Sequence, residues 1–217
     1  MRMAAASAGH LLVVTGLFVM LAAPVAEASR GKSLFLRVNP VSSTDISAFT
    51  KWTSLFPRYE REKNDPYNGC TDGKRCLPRE WDALLEKLQG QPEMKQLQAV
   101  NDFFNKNVPY VEDIVNWGVE DYWSTPYEFM ARGGDCEDYA IAKYFSLKRL
   151  GIPESRMRLM IVQDFNLGGE MHAILEVRVN GTPYILDNQA AQVISEAEIF
   201  HYQPLYAINQ ENWWAYQ

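Results

Sequence analysis

The sequence predicts an α+β fold, with helices first and an antiparallel sheet last, on three observations. Apolar residues recur at helical spacing between Pro78 and Phe103. Short apolar or alternating runs of strand length fill the last third of the chain. Asn180-Gly181, a strong signal for a two-residue hairpin turn, separates two of those runs. Segregated helices and strands define that class.

The first 28 residues read as a cleavable export signal: Arg2, an apolar stretch from Leu11 to Ala23, then the small-x-small triplet Ala26-Glu27-Ala28. A bilayer-crossing helix needs roughly 20 residues, so a retained anchor is not expected. Residues 29 to 217 then suit one mature domain outside the cytoplasm, with enough aromatic and aliphatic residues for a single core. A formal net charge of -6, with Lys and Arg scattered along the chain, excludes a nucleic-acid footprint. Cys70 and Cys76 lie in the turn-rich stretch Asn64 to Pro78; in an oxidising compartment they can pair, or they can stand as independent thiols. Cys136 is the odd cysteine.

After that stretch, Pro78 opens a helical stripe of Trp81, Leu84, Leu85 and Leu88, stopped by Gly90. Met94, Leu97, Val100 and Phe103 form a second stripe; both are core faces. Val108 to Thr125 has no clean period and reads as a long ordered loop. Pro126 starts a short helix through Met130. Gly133-Gly134 breaks it, and a new helix runs from Cys136 to Leu150, ended by Gly151-Ile152-Pro153. Met157 to Gln163, His172 to Val179 and Tyr184 to Asn188 read as strands.

Chemistry concentrates at Cys136. It stands in the first turn of its helix, where free N–H groups and the helix dipole favour a thiolate; alternatively it is a small packed hydrophobe. Any Cys-His pair in the mature chain must use His172 or His201. His172 begins an alternating strand, whereas His201 sits in Phe-His-Tyr-Gln-Pro, where packing among aromatics is expected. With Asn180-Gly181 as the turn, His172 faces Gln189, and Asp187 becomes its diagonal neighbour on the same face, within side-chain reach. Asp187 can then fix the imidazole tautomer, or it can be a solvated strand end.

Gly-Gly-Asp-Cys-Glu-Asp-Tyr-Ala-Ile-Ala-Lys-Tyr at 133 to 144, Met-His-Ala at 171 to 173, Leu-Asp-Asn at 186 to 188 and Asn-Trp-Gly-Val-Glu-Asp-Tyr-Trp-Ser-Thr-Pro at 116 to 126 resemble the bacterial transglutaminase-like cysteine proteinases, above all their periplasmic adhesin-cleaving members. The resemblance implies a papain-like core with a catalytic triad of Cys136, His172 and Asp187. It also implies cleavage of the N-terminal region of a large surface adhesin at a pair of alanines, dispersing biofilm, and sequestration of the protease by an inner-membrane cyclic di-GMP receptor. A transglutaminase or amidase would use the same triad, and an adaptor could keep the fold for binding alone.

Asp135, Glu137 and Asp138 flank Cys136, and Asn116, Glu120 and Asp121 precede it in the loop. Helix capping accounts for acids at such a position. Three carboxylates beside a thiolate would raise its pKa, however, and a bound cation would resolve that conflict. Oxygen ligands from Asp135, Glu137, Asp138 and Asn116, with carbonyls of residues 116 to 121, suit calcium, which the resembled proteases require.

Overall fold

The computed structural model describes residues 40–71 and 73–216; the expected export signal lies outside them. Helix starts follow from proline and the cap residues. Leu77–Leu88 (α2) carries a proline in its first turn, and Pro126–Arg132 (α5) starts behind Thr125 in a complete capping box with Glu128. Glu93–Asn107 (α3) buries Leu97, Val100 and Phe104 on one stripe. Cys136–Arg149 (α6) is almost wholly buried from Asp138 to Leu147, so it is the central helix of the fold rather than an amphipathic surface one.

An additional helix, Thr50–Glu62 (α1), lies before these. Pro57 inside it argues against a helix in the sequence. Burial of Trp52, Leu55 and Tyr59 along one stripe outweighs that cost. The loop from Val108 to Thr125 is not wholly irregular either: Asp113–Asn116 makes one helical turn (α4).

The sheet has seven antiparallel strands: Val41–Ser43 (β1), Met157–Asp164 (β2), Glu170–Val179 (β3), Thr182–Leu186 (β4), Ile194–Ser195 (β5), Tyr202–Ile208 (β6) and Trp213–Ala215 (β7). Their order across the sheet is β1-β7-β6-β2-β3-β4-β5. Asn180 and Gly181 both adopt positive φ, 51° and 83°, as a tight hairpin between right-twisted strands requires. Val179 therefore pairs with Thr182 as expected.

One face of the sheet packs on the helices. Leu159, Leu175, Val177 and Leu186 join Trp52, Trp81, Phe104, Phe129, Ile141 and Leu147 in the main core, with α6 against β2 and β3. The opposite face carries a smaller cluster of Met160, Val162, Ile174, Ile185 and Tyr202. Two buried indoles tie elements together: Trp52 of α1 donates to the Asn209 carbonyl just after β6 (3.1 Å), and Trp81 of α2 to the Ser146 hydroxyl of α6 (2.8 Å). Cys70 and Cys76 form a disulfide, and Cys76 is the cap residue of α2. No helix among the described residues is long and apolar enough to cross a membrane.

Trp52 packs edge-on against Phe56, Trp123 and Tyr144 and is fully buried. Trp52→Ala should cost about 3–5 kcal/mol of unfolding free energy in a denaturant titration, from the cavity and the unpaired Asn209 carbonyl. A loss below about 1 kcal/mol would show that this aromatic cluster does not organise the core.

Candidate active site

The site begins at two glycines that let backbones touch. Gly133, at φ 85°, passes so close to the preceding loop that a Cβ would lie 2.7 Å from the Pro109 carbonyl oxygen. A Cβ on Gly134 would lie 2.0 Å from Asp138 Oδ2. The close approach is stitched by a Val111 N–H bond to the Gly134 carbonyl (2.9 Å) and a bridge between Tyr110 and Gly134. The chain then turns into α6, and Cys136 is its first residue.

Cys136 and His172 line one cavity of about 290 Å³, together with Tyr110, Trp123, Met171 and Tyr206. Cys136 is the free cysteine of the chain. His172 is buried, and its Nε2 lies 2.9 Å from Asp187 Oδ1. The hairpin ladder ends at Leu175 with Leu186, so Gln189 is not the ladder partner of His172 that strict continuation of the register predicts. The physical cause is a turn closed by Asp187 itself, whose Oδ1 accepts the Gln189 N–H at 2.9 Å. The Gln189 side-chain amide still lies 3.4 Å from the imidazole. Tyr202 donates its hydroxyl to Asp187 Oδ2 (2.5 Å). Burial alone would raise the Asp187 pKa, but the His172, Tyr202 and Gln189 donors outweigh it and hold the carboxyl below its ordinary value. The His201 ring packs against that of Tyr202, tilted by 58° with centroids 4.2 Å apart, and lines a separate cavity that Asp187 also borders.

A polar row on α3, unmarked in the sequence because only its apolar stripe has a period, clamps the loop after Asp187. Asn105 donates to the Asp187 carbonyl (2.8 Å), Asn101 to that of Ala190 (3.1 Å) and Gln98 to that of Ala191 (2.8 Å).

The acids divide into two sets. Ligand oxygens of Asp113, Asp135 and Glu137 all lie within 4.8 Å of one another. Asp113 is the member the sequence does not single out, since it lies three residues upstream of Asn116. Its Oδ2 accepts the Tyr122 N–H (2.5 Å), while Asp113 Oδ1 and Asp135 Oδ1 are buried without a partner. Asp135 occupies the cap position of α6 but accepts no cap hydrogen bond, so helix capping does not explain it. Asp138, expected beside Asp135 and Glu137, is not one of these three acids. Asp138 Oδ1 accepts the Ser124 N–H (2.7 Å), and the Asn116 amide donates to the Gly133 carbonyl (3.1 Å). Glu120 and Asp121 line the cavity with Cys136.

Electrostatics here run against the expectation of a lowered thiol pKa. Burial, and then the charges of Glu137 and Asp135, push the Cys136 thiol up, and the Ala173 N–H only partly offsets them. Burial and the neighbouring carboxylates likewise raise Asp135, Glu137 and Asp138.

The bacterial transglutaminase-like cysteine proteinase family matches residues 69–216. Calcium-bound LapG of Legionella pneumophila is similar at 30% identity over 72% of this chain and 87% of that one, with a TM-score of 0.62. A second LapG structure from that organism, EGTA-treated, is similar at 32% identity over 64% of this chain and 75% of that one, with a TM-score of 0.58. No protein of curated function matches.

The Gly134 contact yields a test. Gly134→Ala should force Asp138 off the Ser124 N–H and cost about 1–3 kcal/mol in unfolding measurements, with at least tenfold lower peptidase activity. Wild-type stability and activity would show that the close approach is not needed.

Proposed function

Because the chain belongs to the bacterial transglutaminase-like cysteine proteinases, and so is a cysteine peptidase, we propose that Cys136, His172 and Asp187 are its catalytic triad. The observation that carries the reading is the shared cavity: Cys136, at the start of α6, and His172, held through Nε2 by Asp187, open onto the same space. With Nε2–H donated to Asp187, the free Nδ1 accepts the proton of the Cys136 thiol. The thiolate attacks the scissile carbonyl, and the Cys136 N–H in the first turn of α6 receives the developing oxyanion. Imidazolium returns its proton to the leaving amine. Water then attacks the thioester, with His172 as base, and frees thiol and acid.

The three-acid group fits a hard cation, since its oxygens converge and two of them are buried without partners. Asp113, Asp135 and Glu137 would hold calcium, with Asp138 through its unpartnered Oδ2 and Asn116 through its amide oxygen completing the shell. Bound there, calcium would neutralise the acids that raise the thiol pKa and tie the loop to α6. Calcium in a similar LapG structure supports this reading.

The wider role belongs to the same proposal. Residues 1–28 are a cleavable signal and 29–217 one protease domain of the periplasm, for which the disulfide is suited. The substrate is the N-terminal region of a large surface adhesin, whose release disperses biofilm, and an inner-membrane cyclic di-GMP receptor sequesters the enzyme. These rest on the family resemblance.

Incubated with N-terminal adhesin fragments from the same cell, the mature protein should cut them, while Cys136→Ala and His172→Ala should lose at least about a thousandfold in rate, as members of a unit do. His201→Ala should be nearly silent. Loss of activity in His201→Ala with retention in His172→Ala would overturn the triad.

Chelation should abolish cleavage reversibly, calcium restoring it better than magnesium, whose smaller octahedral shell suits such a cage poorly. Calorimetry should show calcium binding to the wild type and none to Asp135→Ala. Full activity in excess chelator, with no heat of binding, would remove calcium from the account.

A further inference from the structure

Helix α1 ends before residue 69, where the family match begins, and no residue of it takes part in the chemistry above. Yet one face of it grips the segment that walls the catalytic cavity. Lys51, Trp52, Leu55 and Arg58 share that face, the two cations being seven residues, or two turns and about 10 Å, apart along the axis. Three of the four contact residues 121–123. Lys51 pairs with Asp121, the Trp52 ring packs edge-on against that of Trp123 with centroids 6.3 Å apart, and Arg58 reaches both Tyr122 and Trp123. Asp121 and Trp123 line the cavity with Cys136.

Arg58 makes the most specific of these contacts. Its side chain is only 19% exposed, and its guanidinium is divided among three acceptors. Nη2 donates to the Trp123 carbonyl, and Nη1 to the Tyr122 hydroxyl and to Glu128 Oε2 (3.3 Å). The Tyr122 hydroxyl in turn donates to Glu128 Oε1 (3.0 Å), and Glu128 closes the capping box that starts α5. A planar fork of donors meets a carbonyl, a hydroxyl and a carboxylate from one point, which the single ammonium of a lysine does not. An arginine used in this way fixes backbone as well as balancing a charge.

That backbone serves the acids. The Tyr122 N–H donates to Asp113 Oδ2 (2.5 Å), and the Ser124 N–H to Asp138 Oδ1 (2.7 Å). Both acids belong to the proposed calcium site, and in each the other carboxylate oxygen is buried without a partner. Residues 122 and 124 thus spend a backbone N–H on one oxygen of an acid and leave the second for a cation. Trp123, between them, has its carbonyl on Arg58. Groups that orient a metal ligand set the geometry in which it meets the ion, and their loss weakens binding without removing any ligand.

We propose that Arg58 is a positioning residue of the calcium site: from α1 it holds the 122–124 backbone where Asp113 and Asp138 are oriented for the cation, and so strengthens calcium binding without touching the ion. The inference rests on the calcium reading above. It gives α1 a function, since a helix outside the family match would complete a site within it.

The test is a calcium titration by calorimetry on the wild type, Arg58→Met, Arg58→Lys and Arg156→Met. Arg156 is a matched control at the opposite end of β2 and β3 from His172. It too binds a backbone carbonyl, that of Arg178 (2.7 Å), and a glutamate, Glu93 (2.9 and 2.5 Å). Arg58→Met should raise the calcium Kd about tenfold. Arg58→Lys, the milder change, keeps the charge without the fork and should still bind about threefold more weakly. Arg156→Met should keep the wild-type Kd even where its thermal midpoint falls as far. Wild-type affinity in either Arg58 variant, or equal weakening in Arg156→Met, would overturn the proposal. Amide exchange in chelator reads the same grip without the ion: the Tyr122 N–H should exchange about tenfold faster in Arg58→Met, and an unchanged rate would also overturn it. Failure of the calcium reading would look different, since the wild type itself would then give no heat of binding.

Discussion

Everything at the site depends on one close backbone approach, that of the Pro109 to Val111 segment to Gly133-Gly134. Without a side chain at Gly133, the loop can lie against the start of α6. The approach brings Asp113 from the loop to Asp135 and Glu137 at the helix start, and it seats Asp138 over Gly134. The nucleophile candidate therefore emerges at a helix N-terminus ringed by carboxylates. A helix end favours a thiolate by electrostatic effects of modest size, and buried acids within a few ångström outweigh it. Burial first, and those acids after it, hold the Cys136 thiol above its ordinary pKa.

Two arrangements would answer the acidic field. One is the cation proposed for the three-acid group, which would remove the repulsion at its source. The other is the far side of the site, where His172 and Asp187 are fixed by a hydrogen-bonded chain that includes Tyr202 and the α3 clamp of Gln98, Asn101 and Asn105.

Much of this was legible in the sequence, and the reasons for the remainder are physical. Helices with a proline start and a glycine stop, such as α2 and α5, announce themselves, and Asn180-Gly181 sets the β3–β4 register. The short strands β1, β5 and β7, of three, two and three residues, have too little length to show a period. Helix α1 was hidden by Pro57, whose local cost is visible in sequence while the burial of Trp52, Leu55 and Tyr59 is not. At the site, Cys136, His172 and Asp187 could be singled out from residue scarcity and hairpin geometry. Asp113 could not, because its approach to Asp135 depends on a tertiary contact between segments distant along the chain, carried by glycines whose reason is only seen in three dimensions.

Pairing of Cys70 with Cys76 leaves Cys136 as the single reactive thiol, so an alkylating reagent reads it alone. The central claim is that Cys136 becomes a thiolate only when the surrounding acids are neutralised. The rate of Cys136 alkylation by iodoacetamide, followed against pH in calcium and in chelator, measures this directly. The account predicts a midpoint displaced to lower pH in calcium, with faster alkylation at neutrality. Superimposable curves in the two conditions would contradict it.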